Sequence, residues 1–542
     1  MKINILNSIF KNFNLSKIDK DYTKFNKNIF KKKNNNKKII LFELNWRESD
    51  IIASSFLLDR LSKNYNADIV SFSPNLIETF YLKIKNIFFK ILNFKIFKIN
   101  ESIGVDKYIF PSLDKIQKEY SSKLLKKYKN KIKNKKDLLN LKFKNIKFGE
   151  LLYDYHLRKY NTPSADLNSN EIFEDLNYFI KLLVFWDNYI KKNKKKLCAL
   201  LIGHSCYQHG ILLRLCLSNK IKTYEATTEY IFSHNKNNYY SFKDWDHSYK
   251  ELKNINFSKR KKLINIGKKI LRERFKGKNT RKHTFMIWSK KYSTYGKSKN
   301  NKIFNKTNNK RLIVFAHCFY DNPHVFGRNF FDDFYEWINF IGQKSNEIKN
   351  IDWYIKKHPG GQPGNDEIFS EFSKKYPRLN ILPKNILNTQ LIKEGIDYAT
   401  TVYGNAGYEL AYHNIPVIYA SKNNPTTNYK FNFQVKNLKQ YDYYISNPHR
   451  MQIDPNKKKI SEYFVSKFMM QDYNIFFTEK ENDKIDKFFS VDENLMTNIG
   501  FKNFMDNFNQ NKNKIINLKI NKFIKSNKFR LDKPYEEITK KI

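Results

Sequence analysis

The chain has 542 residues, more than one ordinary core accommodates, so two domains with appendages are expected. Its composition is 41% hydrophobic and 16% aromatic, which is material for sizeable cores and excludes wholesale disorder. The formal net charge is +49. That invites an anionic partner, but the Lys runs sit on tails and connectors and accompany abundant Asn, Ile and Phe. This is the mixture an AT-rich genome writes on any fold, and a nucleic-acid reader would cluster its charge.

The 4 Cys form no CxxC pair and read as reduced thiols, neither a disulfide frame nor a zinc site. The first 13 residues are amphipathic, are broken by Asn and Lys, and carry no small-residue cleavage site, so a secretory leader is not expected. No stretch offers 18 uncharged apolar residues; the best, residues 77–97, carries Glu78, Lys83, Lys85, Lys90 and Lys95 and reads as a helix with a wet basic face.

Residues 1–36 form a Lys/Asn-rich tail expected to be mobile. A Rossmann-like domain is expected over 37–240. Residues 38–44 are an apolar run that reads as a strand, a helical pattern starts at Ser49, and 67–72 is a second strand, which together make a parallel βαβ unit. Residues 121–147 read as a Lys-rich helical insertion. A long helix spans 168–195, with Asn168 and Glu171 as a capping box. Strand 197–202 ends at a turn containing His204 and Tyr207, a helix runs over 207–218, and strand 221–225 ends at Glu225. Residues 241–310 lose this rhythm and form a connector, with 299–311 as a linker.

A second α/β series spans 311–450. Strands are expected at 311–316, 352–357, 380–382, 397–402 and 416–420, with helices between them. Residues 451–542 read as a helical basic extension. The predicted class is α/β, with two Rossmann-like domains facing a cleft.

Two strand ends of the second series carry chemistry. One is Lys356-Lys357-His358-Pro359-Gly360-Gly361. A His at a strand's carboxyl end can donate to a phosphate oxygen, Pro359 fixes the turn, and Lys356 adds charge. The other runs from Thr400 through Thr401, Tyr403, Gly404, Asn405 and Gly407 to Glu409. A helix N-terminus suits a phosphate, glycines permit close approach, and Glu409 can take ribose hydroxyls or simply face the helix dipole. Successive βα loops of a parallel sheet line one edge, so the two motifs are expected at one cleft. The run His317-Cys318-Phe319-Tyr320-Asp321-Asn322-Pro323-His324 follows the first strand of this series. It reads as a cleft loop with His317 and Asp321 near the donor; no further ligand motif supports a metal.

The pattern carried by Lys356, His358, Pro359, Thr401, Gly404, Gly407, Glu409, Pro416 and Val417 resembles bacterial glycosyltransferases of GT-B architecture. It looks most like the capsule and surface-polysaccharide group with an HP motif, which includes Kdo- and sialyltransferases. The resemblance covers roughly 311–450, is weaker over 38–240 and is absent from the tails. Tyr408 and Leu410 depart from the pattern, and no D/E-D/E-G acid–base motif is present. The resemblance implies a nucleotide-sugar co-substrate held by the second domain, with no further cofactor, and a His358 contact to its phosphate. It also implies a glycan or glycolipid acceptor on the first domain. A general base is then needed there. Glu225 is the leading candidate, at the position of an E-x-G motif whose Gly is missing, with Glu229 and Asp154 as alternatives. A cytoplasmic location is expected, with the basic segments in peripheral contact with the acidic inner membrane. Rival readings are a CDP-polyol phosphotransferase or sugar epimerase on this scaffold, and a nucleic-acid-binding protein.

Overall fold

The computed structural model describes residues 15–30, 38–44, 47–77, 95–278, 295–296, 302–358, 364–383, 385–454, 456–478 and 499–540. The chain begins with α1 (Lys17–Ile29) and continues through β1 (Lys38–Glu43), α2 (Glu48–Tyr65), β2 (Ala67–Phe72), α3 (Lys95–Ser102) and β3 (Val105–Ile109). Then come α4 (Lys115–Lys129), α5 (Lys135–Leu139), the hairpin of β4 (Lys142–Phe143) and β5 (Ile146–Lys147), α6 (Gly149–Tyr160) and α7 (Asn170–Asn193). The first unit closes with β6 (Leu197–Ile202), α8 (His209–Ser218), β7 (Lys222–Ala226) and β8 (Ile231–His234).

Its sheet has the order β3-β2-β1-β6-β7-β8, parallel except for β8. The order reverses between β1 and β6, the switch point at which open α/β sheets place ligands. Apolar runs such as Leu197–Ile202 form these strands because helices cover both faces. α7 supplies Leu176, Phe179, Leu183 and Trp186 to one face, and α2 supplies Ile52, Phe56 and Leu57 to the other.

Two helices connect the units, α9 (Trp245–Asn254) and α10 (Phe257–Phe275). The second unit comprises β9 (Lys310–Phe315), α11 (Phe334–Glu347), β10 (Ile351–Lys356), α12 (Asn365–Lys375), β11 (Leu379–Leu382), α13 (Asn388–Glu394), β12 (Tyr398–Thr401), α14 (Ala406–Tyr412), β13 (Val417–Tyr419) and α15 (Leu438–Ser446). Its sheet is parallel in the order β11-β10-β9-β12-β13, with its switch point between β9 and β12.

The chain then passes α16 (Lys457–Phe464) and a π-helical turn, Val465–Met469, that packs on α10. It returns to the first unit as α17 (Ile499–Asp506), α18 (Gln510–Ser526) and α19 (Tyr535–Lys540). Phe501, Phe504, Ile516, Ile520 and Phe523 complete the core under β1 and α2. Residues 529–531 pair alongside β8: Ser233 N donates to Phe529 O at 2.8 Å and Leu531 N to Ile231 O at 3.0 Å. Arg530, fully buried, anchors this return on Asp244 and on Asp532, the latter at 2.7 Å.

Several expectations change. The stretch expected to be a mobile tail contains α1, where Ser16 and Asp19 form a capping box, Asn26 donates to Ser102 at 2.9 Å, and Tyr22 stacks on Phe501 at 3.9 Å. A partner far along the chain orders it. The insertion read as one helix is two helices and a hairpin, with Lys144 at φ 52 in the hairpin turn. The capping box proposed for Asn168 and Glu171 does not form; α7 starts after Ser169, whose side chain caps nothing. Residues 78–94, most of the apolar basic stretch, lie outside the described residues. Among the described residues no helix is long and apolar enough to cross a membrane.

Candidate functional site

Three loops of the second sheet converge at its switch point. β10, β9 and β12 are parallel neighbours, so their carboxyl ends share one edge. His317 follows β9, His358 follows β10, and Thr401 ends β12. Thr401 Oγ1 lies 3.2 Å from His317 Nε2, donates to Phe315 O at 3.1 Å and accepts from Gly404 N at 3.3 Å. With its one hydroxyl proton given to that carbonyl, the Thr401 oxygen takes a proton from His317, which fixes the Nε2–H tautomer. A Cβ on Gly404 would sit 2.8 Å from Thr401 Oγ1, so only glycine closes this turn.

His358 Nδ1 is 3.7 Å from Cys318 Sγ, and the charge of His358 is felt at His317. Burial, with His358 adding, pushes the His317 pKa down to about 3, so the ring is uncharged at neutral pH. It is packed between Phe334 and Tyr403, at 4.8 and 4.6 Å between ring centroids. Tyr403 donates to Asn322 O at 3.2 Å. His317, His358, Thr401, Tyr403 and Gly404 are thus one constellation. Asn405 immediately precedes α14 and makes no side-chain cap.

Other motif residues face elsewhere. Lys356 is buried, bonds Asn388, and has its pKa lowered to about 8 by burial against a partly offsetting Glu409. Glu409 is itself spoken for: Arg274 lies 2.8 Å from Oε1 and Tyr295 donates to Oε2 at 3.2 Å. This buried network holds α14 to α10. The space that Gly407 leaves open is filled by Tyr419, whose hydroxyl oxygen would lie 1.7 Å from an added Cβ. Lys356, Gly407 and Glu409 therefore brace the site from behind. Pro359, with Gly360 and Gly361, lies outside the described residues.

The first sheet presents a different edge. Glu225, next to last in β7, is fully buried, its Oε2 2.9 Å from His234 Nε2 and its Oε1 accepting from Tyr230 at 3.3 Å. No face is left for an acceptor. His204 follows β6; its Nδ1 accepts from Cys206 N at 3.0 Å, and burial lowers its pKa despite the nearby Glu225. Tyr207 adopts φ 54, left-handed backbone that a bulky residue enters only under strain. Its ring stacks near His204 at 5.8 Å. Sequence reasoning missed a second pair here: Glu43, ending β1, and His209, opening α8, lie 2.7 Å apart from Oε1 to Nδ1. Their juxtaposition across the switch point depends on sheet order, which no local pattern announces.

The units meet along α6. Asp154 Oδ1 is 2.6 Å from His324 Nδ1 and its Oδ2 accepts from His324 N at 3.2 Å, while Tyr153 donates to Asp333 at 2.5 Å. Asp154, an alternative base in the sequence, is thus a clamp between units. Glu229 is half-buried, and its carbonyl accepts from Gln471 at 3.1 Å. Asp321 is exposed on the loop after β9, within electrostatic reach of Arg158. The loop after β9 joins the two units: its His324 meets Asp154 of the first unit, and its Asn322 carbonyl accepts from Tyr403 of the second edge. Among the described residues no group of three His, Cys, Asp or Glu could hold a metal ion. A separate groove of about 700 Å³, lined by Lys302, Asp352, Tyr354, Asn380 and Gln390, runs along the outer strands and includes none of the motif residues.

No family model matches the chain, and no curated protein does. It is similar to the solved structure of KpsC, a beta Kdo 2,4 transferase from Thermosulfurimonas dismutans, at 11% identity over 50% of this chain and 81% of that one, TM-score 0.32. A glycosyltransferase from Rickettsia africae ESF-5 aligns at 12% identity over 91% of this chain and 100% of that one, TM-score 0.25. A putative UDP-N-acetylglucosamine 2-epimerase from Listeria monocytogenes aligns at 10% identity over 85% and 98%, TM-score 0.21. The strand orders themselves carry the assignment of fold: two Rossmann-like α/β units facing a cleft, the GT-B architecture, with a helical extension that returns to the first unit.

Proposed function

We propose that this protein is a glycosyltransferase that moves a sugar from a nucleotide-sugar donor to a hydroxyl of a surface polysaccharide or glycolipid. The observation that carries the reading is the convergence of His358, His317, Thr401 and Gly404 at the switch point of the second sheet. An imidazole and backbone amides at a strand edge suit the phosphates of a donor. As the sugar leaves, negative charge builds on that phosphate, and donors fixed in advance stabilise it most in the transition state. His358 is the phosphate contact; neutral His317 holds Thr401 and the Gly404 turn in place. The donor class, of hexosyl, Kdo or sialyl type, belongs to the same proposal.

The acceptor side fits work at the cytoplasmic face of a membrane. α4 exposes Ile116 (78%) and Tyr120 (46%) among exposed Lys115, Lys118, Lys123 and Lys127, which suits peripheral contact with acidic lipid. A thermal-shift screen tests the donor reading. UDP or CMP sugars should stabilise the wild type and not His358→Ala. Stabilisation by CDP-polyols instead, or equal stabilisation of the variant, overturns it.

A further inference from the structure

We propose that His209, held by Glu43, is the base that takes the proton from the acceptor hydroxyl. The inference rests on the donor reading above and adds a catalytic residue, with its positioning partner, to the same cleft. Glu43 and His209 flank the β1–β6 switch point, at the carboxyl edge where α/β sheets bind ligands.

The pair differs from Glu225–His234 in one decisive respect. The His209 side chain is 20% exposed over a Glu43 that is 5% exposed, whereas Glu225 and His234 are both at 0%. His209 Nδ1 lies 2.7 Å from Glu43 Oε1, within charge contact but out of line for a hydrogen bond, and Nε2 is the remaining nitrogen of the ring. Glu43 Oε2 is buried and has no hydrogen-bond partner. A buried carboxylate oxygen left this way is costly unless it serves a partner that charges during reaction. Burial pulls the His209 pKa down, but the charge and contact of Glu43, with Glu225 adding, outweigh it and leave the value raised. Among the described residues, His204, whose ring centroid lies 6.1 Å from that of His209, and Arg47 near His204 bring potential positive charge to this cluster.

In the step, the acceptor O–H bond breaks and its proton goes to His209 Nε2. The oxygen lone pair forms the bond to the anomeric carbon. The bond from that carbon to the donor phosphate breaks, and its electron pair leaves with the nucleotide. Glu43 stabilises the resulting imidazolium and then sees it discharge to solvent. Glu43 acts through His209 and touches no substrate.

The test uses the full chain, a panel of UDP and CMP sugars, and release of free nucleotide with water as acceptor. His209→Gln should bind donor within about threefold of wild type and lose about 100-fold in release. Glu43→Gln should lose about tenfold. It should also move the acidic limb of the pH–rate profile to lower pH, because the charge that raises the His209 pKa is gone. A purely structural Glu43 would leave that limb in place, and this overturns its role. His209→Gln releasing nucleotide at the wild-type rate overturns the base while leaving the donor site standing. A wild type that binds none of the panel overturns both.

Discussion

The two sheet edges facing the cleft are built from the same topology and carry opposite chemistry. At the first, each imidazole of a pair meets a carboxylate: Glu43 with His209 and Glu225 with His234. At the second, the imidazoles meet a hydroxyl and a thiol: His317 with Thr401 and His358 with Cys318. A carboxylate beside an imidazole raises its affinity for a proton. Its absence, with burial, leaves His317 neutral and keeps negative charge away from the edge proposed to take the donor phosphate. Position on the sheet decides where a ligand sits; under the proposed transfer, the side chains beyond the strand ends would decide which half each edge performs.

The contrast can be broken in several ways, starting with the largest effect. Glu225→Ala leaves His234 buried and alone, so urea denaturation should show a loss of about 3–5 kcal/mol, with donor affinity unchanged in the folded protein. A variant that stayed as stable but lost transfer would return Glu225 to the role of base. His358→Ala should remove at least about 100-fold of transfer, ~2.7 kcal/mol, without changing the melting temperature; full activity would dissolve the second edge as a donor site.

Lys356→Met separates a buried brace from a phosphate ligand. A lysine whose folded pKa is lowered to about 8 carries its full burial penalty below that pH and none above its ordinary 10.5. The substitution should therefore raise stability by about 1–2 kcal/mol at pH 7, with the gain fading between pH 8 and 10.5, and leave donor affinity alone. Lost donor binding would restore Lys356 to the pocket. Smallest of all, Asp321→Asn should shift donor affinity by less than about threefold, since the group is exposed; a larger change would mean that the second edge also uses a carboxylate.

The sequence made the strands and their carboxyl-end motifs legible, because parallel buried strands are apolar runs and their turns are marked by Gly and Pro. It put His358 and Gly404 at one sheet edge because the βα loops of a parallel sheet all leave from its carboxyl side. It did not separate Lys356, Gly407 and Glu409 from that pocket. Their roles are set by Asn388, Tyr419 and Arg274, which approach from other elements. The His209–Glu43 pair was invisible for the same reason. α1 read as a tail because its polar composition says nothing of Phe501, the ring that orders Tyr22.

The late return of the chain bears on how the molecule is made. The hydrophobic floor of the first unit includes Phe476, Phe501, Phe504 and Ile520, and the outermost strand of its sheet is bordered by residues 529–531. At about 5–20 residues per second of synthesis, the leading half waits, with an unfinished core and an open strand edge, until these residues leave the ribosome. Order of translation and order of folding are therefore uncoupled here, and the nascent first unit is the species that most needs a chaperone's cover.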